Sequence, residues 1–462
     1  MTYFIFEPII PISQFKTKML NYQYHNRYNQ VSMTRFSPFR GLKYNLQKVH
    51  SIDDLICPPF DLISSSLKKE LENKSPQNAV WLEGTSALND ESSNKYIDSK
   101  ETFNKWLKDG VIVRDSLPVY HLIKFTYGLN RNTFSVTGLI GMLRVEDYSL
   151  NNIIGHENTY LPIVNDRIQL LKTTGIQFSP ILAAFKNSST AIPEIIQRIL
   201  LTPPDFHVNI PESEFSDSDH IDIWTISHQD DINSIQNTLS DSKIYIADGH
   251  HRYQAALKIQ NMPHPTFESK HIMTVLMDLE DPGLQILPYH RIIDNVNSEF
   301  IGMLHDKLLS ISGDYSDSSL DGIPKDDIPH LIETETDSIH TICTIDTGKL
   351  RTYTIDINKI PTSSGPLANS DAWILQTQVV DPILMSYPDC ELRYTHDLYQ
   401  ATRDDMIFDD TYAKSVGVFF GSFPKEAFEQ VALSDTNMPP KSTFFYPKIP
   451  TGLIFHPINM GN

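Results

Sequence analysis

The sequence predicts an α+β fold of mixed sheets with helices. Three observations carry this. Hairpin signals occur in both halves of the chain. Helical periodicities fall between them without strict strand–helix alternation. One short apolar strand, Lys243–Ala247, runs directly into a helix and forms a βα unit near residue 245.

The elements follow in order. Tyr96, Phe103, Trp106 and Leu107 recur at near-helical spacing over residues 92–108, and Asp109-Gly110 stops that helix. Two β-like runs, 118–127 and 133–145, are joined through Asn130-Arg131-Asn132 as a hairpin. Residues 163–171 and 192–201 read as helices, 220–227 as a strand and 231–239 as a helix. After the strand at 243–247 comes a helix over 252–259, then strands over 271–279 and 285–293 around the turn Asp281-Pro282-Gly283. Further on lie a helix over 300–309 and a hairpin around Asp346-Thr347-Gly348. Stretches 210–220 and 311–330 are rich in Ser, Asp and Pro and read as surface loops.

Composition bounds the function. With 40% hydrophobic and 21% charged residues, the 462-residue chain is globular and long enough for more than one packed unit. Its 57 acidic against 38 basic residues (net charge −19) disfavour a nucleic-acid-coating role, because phosphates are neutralised by Lys and Arg. Cys57, Cys343 and Cys390 stand apart, so neither a disulfide framework nor an all-cysteine zinc site is expected, and a reducing compartment fits. No apolar run reaches the roughly 18 residues a membrane span needs. The first 35 residues form a basic, acid-poor leader or tail. A cytoplasmic location is expected, with a mitochondrial presequence or a translation start at Met33 as the other readings of that leader.

Four constellations carry chemistry. The sharpest is Asp248-Gly249-His250-His251-Arg252, where a strand ends and a helix begins. Gly249 permits a tight turn, the first helical N–H groups form an anion site, and His250, His251 and Arg252 add donors. Asp248 caps the helix or holds Mg²⁺. An ordinary N-cap with surface histidines is the plain alternative. The second is His156-Glu157, with Asp166-Arg167 opening a helix. Glu157 suits a general base on a hydroxyl, and a solvated loop is the competing reading. The third runs from Met438 to Leu453 with Lys441 and Lys448 among prolines and aromatics. Either the lysines meet phosphate, or the segment is a buried edge strand closing the core. The fourth, Cys57-Pro58-Pro59-Phe60-Asp61 with Asn78, is a rigid turn that aims Asp61. Fingerprints of P-loop kinases, dinucleotide-binding enzymes, zincins and α/β-hydrolases are absent.

Taken in order, these segments resemble the family called domain of unknown function 1015. The matching pieces are Phe39-Arg40 with Tyr44-Asn45, Pro58-Pro59-Phe60-Asp61, Asn78, His156-Glu157 with Thr159, Asp166-Arg167 and Ser179-Pro180. They continue with Ala247 to Tyr253, Asp281-Pro282-Gly283 with Leu287-Pro288, His290-Arg291 and Met438 to Leu453. A shallower resemblance, in His156-Glu157 followed by Asp248 to Arg252, is to the free-serine kinases of the ParB/sulfiredoxin superfamily. It implies a strand–turn–helix phosphate site in which Glu157 activates the serine hydroxyl. The sequence departs from these patterns at Ile154-Gly155, in place of Arg-Pro, at Phe60, in place of Tyr, and at Trp81, in place of an expected Arg.

Together these readings divide the chain into the leader (1–35), an N-terminal α+β part (36–150), a phosphate-binding catalytic part (151–300) and a C-terminal α+β part (301–462) that contributes Lys441. The expected activity is phosphotransfer to a small hydroxyl metabolite, free serine first, from a nucleotide or pyrophosphate donor with Mg²⁺. Glu157, Asp248 and His156 are the catalytic candidates. Gly249, His250, His251, Arg252, Arg167, His290 and Lys441 are the phosphate or substrate ligands. The alternatives are a phosphoserine-type phosphatase using the same residues, a nucleotide-responsive binding module without catalysis, and a metal-dependent hydrolase built on His250, His251, His290 and Asp248. A small molecule is the expected partner, with neither nucleic acid nor membrane.

Overall fold

Strands Ile181–Phe185, Ile244–Asp248 and His271–Asp278 are apolar at nearly every position, as strands covered on both faces must be. In the computed structural model, Ile181, Ala183, Ile244, Ile246 and Leu276 enter one core. Leu182, Ala184, Tyr245, Ala247 and Val275 enter a second core on the other face. Described are residues 35–84, 94–129, 132–210, 219–262, 266, 268–403, 415–434 and 437–458. The leader, the turn residues Asn130-Arg131 and most of the 210–220 stretch lie outside them.

The nine-stranded sheet begins at the edge strand Ile153–Ile154. It continues through Ile244–Asp248, Ile181–Phe185, His271–Asp278, Asn132–Arg144, Tyr120–Leu129 and His220–Ile226 to the opposite edge, Phe206–Asn209. Phe36–Ser37 adds to Asn132–Arg144. Two of its pairings are parallel, Ile244–Asp248 with Ile153–Ile154 and His271–Asp278 with Ile181–Phe185. Helices Ala191–Leu200, Gln229–Leu239 and His250–Gln260 cover one face through Ile192, Ile195, Ile232, Ile235, Tyr253 and Ala256. The other face is closed by the C-terminal segment, which buries Phe444, Phe445, Leu453 and Ile454 beside Phe428.

A second sheet of six strands has the order Ser312–Ser319, Lys349–Ile355, Thr341–Asp346, Ser415–Phe420, His290–Asp294, Glu391–Thr395. Helix Ser298–Ile311 and the helical stretch 371–384 pack on one face of it through Phe300, Leu304, Ile374 and Val379. Helix Ile328–Glu335 packs on the other through Ile332.

The mixed sheets and helices are the α+β architecture read from the sequence. Two local readings are corrected. The run 285–293 is not one strand. Pro288 has no N–H to give a ladder, and the chain changes sheets there. Gln285–Leu287 pairs with Phe444–Tyr446, while His290–Asp294 joins the second sheet. The first part of the 311–330 stretch is not loop but the edge strand Ser312–Ser319. It is exposed along nearly all its length, so it carries no apolar alternation to reveal it. The hairpin at Asp346-Thr347-Gly348 turns through positive φ at Thr347 (44°) and Gly348 (70°). Among the described residues no helix is long and apolar enough to cross a membrane.

Candidate active site

Strand Ile244–Asp248 ends at the carboxylate, and helix His250–Gln260 starts one residue later. Gly249 between them sits at φ 94°, and a Cβ there would lie 2.7 Å from Ile181 Cγ2 and 3.0 Å from Arg252 Nε. No side chain caps the helix. Its first backbone bond runs from Tyr253 N to Gly249 O (2.9 Å), so the first-turn N–H groups are left facing the turn. Asp248 Oδ2 accepts from Arg252 Nη2 (2.7 Å), and Oδ1 accepts from Lys448 Nζ. Burial alone would raise the Asp248 pKa. Lys448 and Arg252 outweigh it and hold the carboxyl well below the usual range.

These contacts bear on two expected roles. Arg252 donates Nη1 to Pro180 O (2.6 Å) and Nη2 to Asp248, so the fork is engaged inside the protein, and its buried Nε is the atom without a partner. Asp248 is matched to Mg²⁺ poorly, because a cationic side chain already faces each of its oxygens. No step is assigned to a metal on this residue.

The second half of the site is a cradle around Glu157. Met438 N donates to His156 O (2.8 Å), which lays the C-terminal segment alongside the His-Glu pair. Lys441 then takes a left-handed conformation (φ 59°). The next two N–H groups, of Ser442 and Thr443, both reach Glu157 Oε1 at 3.2 Å. Thr443 Oγ1 donates to the same oxygen at 3.1 Å and lies 2.8 Å from His156 Nε2. With the hydroxyl proton directed at the carboxylate, His156 Nε2 is the N–H donor to Thr443. Burial raises the Glu157 pKa, and the Thr443, Ser442 and Lys441 contacts offset part of that rise.

Two histidines join the halves. The rings of His156 and His250 meet edge to face at 4.7 Å. Both are buried, and His156 Nδ1 and His250 Nε2 have no hydrogen-bond partner. Burial pushes His250 down to about 4 and His156 well below its ordinary value, so both rings are neutral near pH 7. His251 accepts from Tyr160 N at 3.0 Å. Burial and His250 lower its pKa, Asp61 and Glu157 act in the opposite sense, and Lys441 lowers it further. Asp61, Glu157 and Lys441 therefore share one electrostatic neighbourhood with His251.

The other expected ligands are distributed unevenly. Lys441 reaches Tyr289, with Nζ 3.3 Å from the hydroxyl and 4.9 Å from the ring centre. Arg167 is held by Glu83 (Nη1 to Oε2, 3.0 Å) and Asp166 (Nε to Oδ2, 2.9 Å), with its guanidinium 4.1 Å over the Phe60 ring. Arg167 and Arg252 line one small cavity of ≈ 40 Å³, also walled by Glu83, Gln177 and Ser179. Asp166 does not open its helix, which begins at Leu161. It answers Lys95, Tyr96 and Arg167 in mid-helix, so the helix dipole is not its partner. His290 lies in the second sheet among Phe419 and Phe420, and burial lowers it to about 3. Among the described residues, His250, His251, His290 and Asp248 do not assemble into a metal-binding group.

Two residues matter more than the sequence reading allowed. Lys448 was read beside Lys441 as a phosphate contact, but its partner is Asp248, 200 positions earlier, and no local pattern reports that contact. Arg291, next to His290, is fully buried. It donates to Gln376 (3.1 Å) and to the Tyr289 carbonyl, keeps Nη2 without a partner, and feels the Glu157 charge. Its signal was present as a lone Arg in the apolar run 285–293.

No curated protein matches the chain. A conserved hypothetical protein from Pyrococcus furiosus is 14% identical and aligns with 68% of this chain and 95% of its own, at a TM-score of 0.30. A free serine kinase in complex with AMP is 13% identical and aligns with 68% of this chain and 91% of its own, at a TM-score of 0.32. A mutant free serine kinase in complex with ADP is 13% identical over 68% of this chain and 92% of its own, at 0.33. C-terminally truncated SbnI from Staphylococcus aureus is 10% identical over 66% of this chain and 82% of its own, at 0.34. The family described as protein of unknown function (DUF1015) matches residues 36–368, and the chain belongs to it.

Proposed function

We propose that this protein is a phosphotransferase acting on a small hydroxyl metabolite, with free serine the first acceptor to test and a nucleotide or pyrophosphate as donor. One observation carries the reading. Glu157 Oε1 holds three donors from Ser442 and Thr443, while no described residue donates to Oε2. A half-buried carboxylate with a desolvation-raised pKa and one open oxygen is the form a general base takes.

The acceptor O–H gives its proton to Glu157 Oε2, and its oxygen forms a bond to the terminal phosphorus of the donor. The bond from that phosphorus to the bridging oxygen breaks, and the bridging oxygen leaves with the electron pair. Such a transfer depends on positioning and charge neutralisation. Lys448 and the uncapped first turn after Gly249 supply positive potential for the donor phosphates, and Asp248 fixes Lys448 and Arg252 in place.

The test is a thermal-shift panel of ATP, ADP, pyrophosphate, serine and phosphoserine, each with and without Mg²⁺, because a ligand of the folded state raises its midpoint. The donor found this way is then used in turnover assays. Glu157→Gln should keep the donor's thermal shift and lower turnover by roughly 10²–10⁴-fold. Normal turnover in that variant removes the base assignment. Phosphate release from phosphoserine without nucleotide would assign the hydrolytic direction instead.

A further inference from the structure

We propose that His207, His220 and Asp222 form a binding site for one divalent first-row transition ion, Zn²⁺ foremost. The site lies at the far edge of the nine-stranded sheet from the Asp248 strand and is independent of the activity proposed above. Register builds it. In the antiparallel pair Phe206–Asn209 and His220–Ile226, Asp222 stands opposite His207 and His220 opposite Asn209. The period of two puts all four side chains on one face. The two histidine rings lie 4.9 Å apart, and the three ligand atoms fall within 4.8 Å of one another.

Hydrogen bonding fixes which atoms face the centre. Asp53 takes both N–H groups of Asn209, the backbone N at 2.9 Å and Nδ2 at 3.0 Å. Asn209 Oδ1 is thereby turned toward His207 Nε2, 3.2 Å away, and as an acceptor it requires that nitrogen to carry the proton. In the neutral ring, His207 Nδ1 then presents a lone pair to Asp222 Oδ1 at 2.7 Å. Two acceptors at that distance need a positive species between them. A proton would satisfy this pair alone. A metal would also draw in the third group, His220 Nε2, 3.9 Å from Asp222 Oδ2.

The dimensions suit the ion. Zn²⁺ bonds of about 2.0–2.1 Å in a tetrahedron separate ligand atoms by roughly 3.3 Å. The 2.7 Å contact of His207 Nδ1 with Asp222 Oδ1 must open by roughly 0.6 Å, and His220 Nε2, now 3.9 Å from the other oxygen, Oδ2, must swing in to complete the set. Both rings can move that far, since their side chains are 47% and 29% exposed. Two imidazoles with one carboxylate favour Zn²⁺, Co²⁺, Ni²⁺ or Cu²⁺ over Mg²⁺ or Ca²⁺, and a water completes the shell. The chain Asp53–Asn209–His207 is the outer support that metal-bound histidines ordinarily have. Lys124, opposite Asp222 on the next strand, is the one adverse neighbour that this register places there.

The experiment uses the full chain, stripped with chelator and dialysed, titrated with Zn²⁺ by calorimetry and with Co²⁺ by visible absorption. About one tight equivalent and ligand-field bands for Co²⁺ are expected. His207→Ala and His220→Ala should each abolish both signals while leaving the metal-free melting midpoint unchanged. Asn209→Ala should weaken Zn²⁺ by roughly 10–100-fold. Lys124→Met should tighten it, and His330→Ala, in the helix Ile328–Glu335 on the second sheet, should change nothing. Absence of saturable binding, or equal binding by wild type and both histidine variants, would overturn the site and leave a proton between His207 and Asp222. Asp222→Asn should likewise abolish both signals, and should it fail to fold, the two histidine variants still decide the question.

Discussion

Asp248 faces two cations, the buried Arg252 and the half-buried Lys448, so its removal leaves both without their carboxylate. Asp248→Asn should cost about 3–5 kcal/mol near pH 7, measured by denaturant unfolding. The folded pKa of Asp248 lies below its unfolded value. Its stabilisation is therefore fully present above the unfolded pKa of about 3.9 and is lost as pH falls further. The gap between wild type and variant should close on acidification, and a gap independent of pH would contradict the pairing. Glu157 moves the other way, because burial raises it, so the acid limb of turnover should fall above the ordinary carboxylate range. Thr443→Val removes a hydrogen bond that lowers this pKa and should shift the limb to still higher pH. A limb that stays put separates Glu157 from the rate. At this scale the sequence displayed the polar clusters, because His156-Glu157 and Asp248 to Arg252 interrupt apolar runs. It did not display what each atom touches. Lys448 reaches Asp248 and Thr443 reaches Glu157 across separations that no local pattern encodes.

The turn at Gly249 shows what a single element requires. Gly249→Ala would place a Cβ against Ile181 and Arg252 in a left-handed conformation, at a cost of roughly 1–3 kcal/mol. It should also blunt the thermal shift produced by the donor, because the first helical turn must move. An alanine variant with wild-type stability and an unchanged shift would show that the turn is not tight. Elements such as this strand and helix were legible because burial imposes periods of 2.0 and 3.6 on the residues. Legibility failed where burial was absent, as in the exposed strand Ser312–Ser319. It also failed where one apolar run served two sheets, as in 285–293, in which only Pro288 marks the division.

Across the whole molecule the segment 437–458 joins what the chain separates. Phe445, fully buried, packs on Phe428 at 5.0 Å and on His156 at 6.1 Å, while Phe455 enters the cluster of Phe103 and Phe178. Phe445→Ala should lower unfolding free energy by about 3–5 kcal/mol, and it should weaken the Glu157 cradle as well as the core. Loss of stability with an unaltered turnover pH profile would separate those two roles. The mixed α+β architecture was readable from the sequence. The closure of the first sheet by residues that follow the second was not, since it depends on contacts 200 and 285 positions apart.

That closure sets an order of assembly during translation. The strands between residues 120 and 278 leave the ribosome long before Ser442, Thr443 and Lys448 are made. A nascent chain at that stage has Glu157 without its three donors and Asp248 without its lysine. A polypeptide terminated after residue 252 but ahead of residue 448, by a premature stop or by ribosome stalling, therefore carries the His-Glu and Asp-Gly-His-His-Arg motifs intact and yet lacks the lysine that meets Asp248.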